Sequence, residues 1–169
     1  MGQLSDDPDL ITEIDVAMLM ECMSSNDDLG VVLRTHLEIE RAMIRVLEKK
    51  YPNYGALKHD RFTQHLKALR ALGATGPIFQ IADQINNTRN ELAHVKKGAK
   101  MKLSEKDIVQ LRSQASGAFG NCTDVLDFIV DFGKPGPLEL RHHSLAQQFA
   151  VIGFMAAAAI DTIPQREPQ

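Results

Sequence analysis

The sequence has no tryptophan and only two tyrosines, and aromatic residues make up 5% of its 169 positions. Strands draw heavily on aromatic and β-branched side chains, so this scarcity argues against a β-sandwich. A core made of Leu, Ile, Val, Ala and Met suits helices better. Cysteine is scarce as well. Cys22 and Cys122 lie far apart, and neither has a metal-ligand partner nearby in the sequence. They read as two buried free thiols in a reducing compartment, which leaves no paired-cysteine zinc site. No Lys or Arg precedes Arg34, so the basic start of a secretory signal is missing. No apolar run reaches the roughly 18–20 residues that a membrane span needs; the longest is 149–160. The expectation is a soluble, cytoplasmic protein with no membrane partner. A Gly-rich phosphate loop, a Gly-x-Ser-x-Gly elbow and a helix-turn-helix are all missing too, and the last of these weakens a DNA-reading repressor.

What is present favours one folded unit. Hydrophobic residues make up 44% of a chain long enough for a sizeable core. The pattern predicts an all-α bundle of five to six helices over 9–161, between a flexible start at 1–8 and a flexible tail at 162–169. Leu10, Ile14, Ala17 and Met18 repeat at helical spacing, giving a first helix to about Met23. Asn26 is a plausible cap for a long second helix with Leu29, Leu33, Leu37, Met43, Ile44 and Leu47 as its inner stripe. A third helix, from about Asp60 to Leu72, carries Phe62, Leu66 and Leu69 and stops at Gly73. Pro77 opens a fourth, with Ile78, Ile81, Ala82, Ile85, Arg89 and Leu92 on one stripe. Ser104 and Asp107 form a capping-box-like start for a fifth, whose stripe runs from Ile108 through Cys122 to Ile129. Gly133-Lys134-Pro135-Gly136-Pro137 ends it. A sixth helix spans roughly Leu138 to Ile160. Its C-terminal half is apolar all round, which fits deep burial or a subunit contact. Gly153 and Ala157 have a spacing that permits close helix approach, with core packing the favoured use.

Charge is divided unevenly. Net charge is −3, yet the only charges before Arg34 are eight acids. From Arg89 to Lys106 the balance is +4, leaving −7 for the rest of the chain. This basic segment begins with Arg89-Asn90-Glu91-Leu92-Ala93-His94. An arginine on an apolar stripe needs an acid, a phosphate or another subunit as its partner. Five residues of regular helix advance about 500°, which would point Arg89 and His94 about 140° apart. Convergence then requires the helix to loosen after Asn90, or the pair to act across a subunit interface. Near a helix C-terminus the dipole favours a cation, which would raise the basicity of His94. Histidine trades protons near neutral pH, while the fixed charge and planar fork of arginine suit phosphate oxygens. Asn90 can orient the histidine or a substrate.

These parts suit metal-free RNA cleavage. His94 would move a proton at the ribose 2′-hydroxyl or at the leaving oxygen, and Arg89 would stabilise charge on the phosphorane. Lys96, Lys97, Lys100 and Lys102 would hold the flanking backbone. Acid–base chemistry wants a second proton-carrying group, which a homodimer with the motif at its interface would supply. No cofactor and no metal is expected.

An arginine, a polar residue and a histidine at this spacing resemble the signature of the HEPN superfamily. The stretch from Phe62 to His94, with Leu72-Gly73 as a stop and Arg89, Asn90, Ala93 and His94 at its end, resembles that superfamily's mannitol-operon-repressor-like branch. The similarity covers about residues 29–130. Thr88 departs from the apolar residue often found before the arginine, while Leu92 fits the pattern. The resemblance implies a small all-α domain, often dimeric. Many such domains are metal-independent endoribonucleases of toxin–antitoxin and defence systems, with a separate nucleotidyltransferase-like antitoxin as partner. Other members keep the motif as structure.

Several rival assignments follow from the residues themselves. Glu38, Glu40 or Arg41 could meet Arg89 from the second helix, Glu40 being the best placed, and the motif would then be an internal salt bridge. His36 reads as a packed surface histidine or a cleft-lining one, and His65 beside Arg61 as solvated. His142-His143 face different ways on a helix, which disfavours a metal site. Asp124, Asp127 and Asp131 read as a solvated face. A non-catalytic regulator would use the acidic N-terminal helix and the apolar last helix to bind a protein partner.

Overall fold

The computed structural model describes residues 14–57, 61–93, 102–119, 124–133 and 136–162. Within them the chain forms six α-helices and one two-stranded sheet, so the all-α bundle holds. His94, Lys96, Lys97, Lys100 and Cys122 lie outside the described residues, as do the chain's first and last segments.

The sixth helix, α6 (Leu145–Asp161), is the element against which α1, α2, α4 and α5 all pack. Its sequence explains why. Phe149, Ala150, Ile152, Phe154, Ala156 and Ile160 point in all directions, and all are buried, so only a central position satisfies them. Its start is fixed by a capping box: Ser144 N–H donates to Gln147 Oε1 at 2.9 Å, and Gln147 N–H donates back to Ser144 Oγ at 3.3 Å. The helix begins at Leu145 rather than near Leu138. Before it, Leu138–Glu139 forms β2 and Leu140–His142 a 3-10 turn.

The longest helix, α2 (Asp28–Lys50), lies along α6 in the most extensive helix contact of the molecule. Gly153 makes that approach feasible. A Cβ there would overlap the Thr35 methyl group and would lie 3.1 Å from Ile85 Cδ1. The small residue therefore serves core packing, as expected. The inner stripe of α2 differs from expectation, because Leu33 and Leu37 are 41% and 39% exposed. Met43 and Leu47 are buried as expected, and the rest of the buried face runs through Val31, Val32, Thr35, Glu38, Ile39, Ala42 and Val46. Thr35 and Glu38 broke the apolar pattern on the true inner face, so the leucines beside it looked like the core side. Glu38 is fully buried, and Arg45 answers it at 3.3 Å while also gripping Asp161 at 2.6 Å, tying α2 to the end of α6. Burial pushes the Glu38 carboxyl above the usual range, and Arg45 pulls it back.

The shorter helices α1 (Val16–Ser24) and α3 (Phe62–Ala71) flank α2. Asp15 caps α1 by accepting from Met18 N–H at 2.9 Å; Leu10, expected on this helix, lies outside the described residues. Gly73, at φ 84°, turns the chain out of α3 in the left-handed conformation that favours glycine. It leads to Pro77, the first residue of α4 (Pro77–Ala93). The next helix, α5 (Glu105–Ala118), opens as expected, with Ser104 N–H and hydroxyl both donating to Asp107 Oδ2, at 2.7 and 2.6 Å. Its stripe does not continue to Ile129. Gly117, Gly120 and Asn121 are poor helix formers, and Asp124 caps a separate 3-10 turn at Val125–Asp127. Beyond that turn β1 (Ile129–Val130) pairs antiparallel with β2, Ile129 opposite Glu139 and Val130 opposite Leu138.

Candidate functional site

The site grows from the way α4 lies on α2. Phe79, Ile81, Ala82, Ile85 and Leu92 bury the apolar face of α4. That face also carries Asn86 and Thr88 inward, and it brings Arg89 to a half-buried edge facing α2. Arg89 Nη1 donates to Asn90 Oδ1 at 3.0 Å, whereas the buried Arg89 Nε has no hydrogen-bond partner among the described residues. Among the described residues no carboxylate touches this guanidinium, although its charge is felt by two side chains of α2, His36 and Glu40.

His36 and Glu40 stand one helical turn apart, so both face the same way. The His36 ring stacks on Phe62 with centroids 4.4 Å apart, and its Nε2 lies 3.2 Å from Asn86 Oδ1. Burial lowers the His36 pKa below the usual imidazole range. The Asn86 bond offsets this in part, and the Arg89 charge adds to the lowering. Glu40 is shifted the opposite way. Burial raises its carboxyl above the usual range and Arg89 pulls it down. Behind Glu40 stands His65, with Nε2 3.8 Å from Glu40 Oε1 and Nδ1 2.9 Å from the Tyr54 hydroxyl.

Two sequence expectations change here. His65 is not solvated but 2% exposed. Its position three residues after Phe62 and one before Leu66 puts it on the inner face of α3, and that spacing was the available signal. Arg89 and Glu40 do approach each other, as the spacing suggested, but as charges within electrostatic reach rather than as a direct ion pair. Glu38, the rival partner, is committed to Arg45, and Arg41 bonds Asp15 at 3.3 Å. His36 is a packed histidine, and Asn86, on which no expectation rested, orients it. The helix stays regular through Asn90 to Ala93, so it does not loosen immediately after Asn90. His94 follows its last residue.

Asn90 has a second aspect. With Gln84, Asn87, Lys106 and Gln110 it lines a polar groove of about 430 Å³ between α4 and α5. Lys102 is exposed just before α5, where Leu103 N–H donates to Asp28 Oδ2 at 2.8 Å and ties this segment to the start of α2. Elsewhere, Asp124 caps a turn, Asp127 pairs with Arg141, and His142 lies 3.9 Å from Glu139. Among the described residues no three His, Cys, Asp or Glu side chains converge as a metal-binding group, and no helix is long and apolar enough to cross a membrane. No protein-family model, curated protein or solved structure matches the chain.

Proposed function

We propose that this protein is a HEPN-like RNA-binding protein of the cytoplasm and a metal-independent endoribonuclease that works as a homodimer through Arg89, Asn90 and His94. The observation that carries this is the state of Arg89. Its guanidinium is half-buried at the end of α4, steadied by Asn90, and untouched by any described carboxylate. A desolvated fixed charge without a contacting counter-ion is suited to a phosphate. Arg89 would stabilise charge on the phosphorane, and His94 would transfer protons at the ribose or leaving oxygen. Lys96, Lys97, Lys100 and Lys102 would follow the strand on either side.

The test uses purified protein and a labelled single-stranded RNA in EDTA, with wild type beside His94→Ala and Arg89→Ala. Each variant should lose about 100-fold or more in cleavage rate, and Arg89→Ala should also weaken RNA binding. Equal cleavage by all three, or none by any, would overturn the nuclease assignment.

One observation favours a second function. Glu40 lies within electrostatic reach of Arg89 and could serve as its internal counter-charge, leaving a non-catalytic regulator that binds a protein. Its docking face would not be the last helix, since α6 is the buried centre of the bundle. Glu21 of α1 and its cap Asp15 pair at the surface with Arg34 and Arg41, and Glu21 stays 66% exposed. A toxin–antitoxin role would add an antitoxin chain as that partner. Co-purification of a stoichiometric partner with wild type, together with inert behaviour towards RNA, would select this function.

A further inference from the structure

The polar groove between α4 and α5 has no part in the phosphate chemistry assigned to Arg89, yet it opens beside that residue. One wall comes from α4, where Gln84, Asn87 and Asn90 recur at three-residue steps and Glu91 follows. The other wall comes from α5, with Lys106 and Gln110 one helical turn apart. Asp107 also lines the groove, but its carboxylate is committed to the Ser104 cap. Amides elsewhere hold the fold together: Asn86 meets His36, Gln147 donates to the Met23 carbonyl, and Gln148 joins Arg112 to the His143 carbonyl. The groove differs. Among the described residues, the side chains of Gln84, Asn87, Glu91, Lys106 and Gln110 have no hydrogen bond or ion pair. Glu91 and Lys106 thus bring opposite charges to one concavity without joining them. Asn90 links the groove to Arg89. Its Oδ1 accepts from Arg89 Nη1 at 3.0 Å, which leaves its NH2 as the group offered to the groove.

We propose that this groove is a base-recognition subsite for a guanine of single-stranded RNA, with Glu91 and Lys106 as its specificity-determining residues, an assignment that rests on the RNA-binding function proposed above. The lining suits a base better than a phosphate. Its charged side chains are two acids and one lysine, so an anion inside it is repelled. No aromatic ring lines it, so recognition falls to hydrogen bonds on the base edge rather than to stacking. Its volume of about 430 Å³ is within the range of small-ligand sites. The Glu91 carboxylate only accepts, and the Lys106 ammonium only donates. A partner for both needs adjacent N–H donors beside a strong acceptor. Guanine has that edge: N1–H and the N2 amino group fit the two carboxylate oxygens, and O6 accepts from lysine. Uracil offers one ring N–H, while adenine and cytosine offer an amino group beside a ring acceptor. None of these three meets a carboxylate with two parallel bonds. Gln84, Asn87 and Gln110 each donate and accept, and they serve the remaining polar atoms of the nucleoside. Arg89 holds the phosphate, and Asn90 stands between phosphate and base.

The experiment measures binding by fluorescence anisotropy, using short labelled uridine-rich oligomers with one central G, inosine, A, C or U. All riboses are 2′-O-methylated so that the strands stay intact. Wild type, Glu91→Gln, Lys106→Met and Arg89→Ala are compared, with thermal unfolding confirming that each folds. Glu91 and Lys106 are exposed, so neither substitution disturbs the core. Wild type should prefer the G oligomer by about 10-fold or more over the others. Inosine, which lacks the N2 amino group, should lose most of that preference. Glu91→Gln and Lys106→Met should each remove most of it too. The preference is the readout, because a change of net charge alone moves every oligomer alike. Arg89→Ala should weaken all five oligomers and leave the preference in place. If wild type binds all five equally and Arg89→Ala weakens them, the groove assignment falls while the RNA-binding function stands. A preference for another base, or a G preference that survives both groove variants, overturns the assignment as well. Free guanosine monophosphate binding as tightly as the G oligomer would make the groove a nucleotide site and overturn the strand-reading role. If wild type binds no oligomer, the groove assignment and the RNA-binding function fall together.

Discussion

Arg89 and His36 show what a half-buried charge does to its neighbours. The guanidinium partly offsets the rise that burial imposes on the Glu40 carboxyl and opposes a proton on His36, so one fixed charge biases two titratable groups of α2. For His36 this has a measurable sign. Its folded pKa lies below the ordinary value of 6.5, so on acidification the unfolded chain takes the proton first. His36 therefore leaves stability intact above that ordinary value and lowers it progressively as pH falls towards the depressed folded value. Urea unfolding at about pH 7.5 and about pH 5.5 should show wild type losing more stability than His36→Gln across this interval. An equal loss in both proteins would contradict the desolvated environment described for this ring. At this scale the sequence was informative about Arg89 and Asn90, because a charged residue interrupting an apolar stripe is visible without a structure. His65 was harder to read. Its neighbour Arg61 suggested solvent, whereas its register with Phe62 and Leu66 placed it inside. Nothing in the linear pattern brought Tyr54, 11 residues earlier, onto its ring.

Between elements, the α2–α6 contact depends on a missing side chain. Gly153→Ala would force a methyl group onto Thr35 and Ile85, an overpacking that costs about 1–3 kcal/mol. Thr35→Ser removes the opposing methyl while keeping the hydroxyl. The two substitutions should therefore be coupled, the double variant being more stable than the sum of the single losses predicts by at least about 0.5 kcal/mol in denaturant unfolding. Strict additivity would mean that the helices separate or shift rather than clash. Elements of this kind were legible to different degrees. Strong local chemistry announced Pro77 at the start of α4, Gly73 after α3, and the Ser104–Asp107 box at the start of α5. The end of α5 and the inner face of α2 were not legible by the same means. Apolar residues at helical spacing continue in the sequence past Ala118, where α5 ends. Buried Glu38 and Thr35 hid the true core side of α2 behind the exposed Leu33 and Leu37. A buried carboxylate of this sort is intelligible only once Arg45, seven residues further on, reaches it while also holding Asp161, 116 residues beyond Arg45.

Across the whole molecule, α6 organises the bundle, and α2 and α4 lie against it so that their polar edges meet. The hydrophobic pattern of 44% apolar residues with few aromatics was enough to establish the all-α class. It could not establish what the meeting edges do, because that depends on which charges end in contact and which stay apart. Arg89 stays apart from any carboxylate among the described residues, while Arg34 pairs with Glu21 of α1, Arg41 with its cap Asp15, and Arg45 with Asp161 at the end of α6. The central claim is that the Arg89 end of α4 handles RNA phosphate. The most direct measurement is the chemical nature of the product ends when a labelled RNA is incubated with wild type or Arg89→Ala in EDTA. Wild type should leave 2′,3′-cyclic phosphate and 5′-hydroxyl ends, a 2′-deoxy substrate should resist, and Arg89→Ala should yield neither product above background. Intact RNA with wild type, or the same products at the same rate with Arg89→Ala, would contradict the claim.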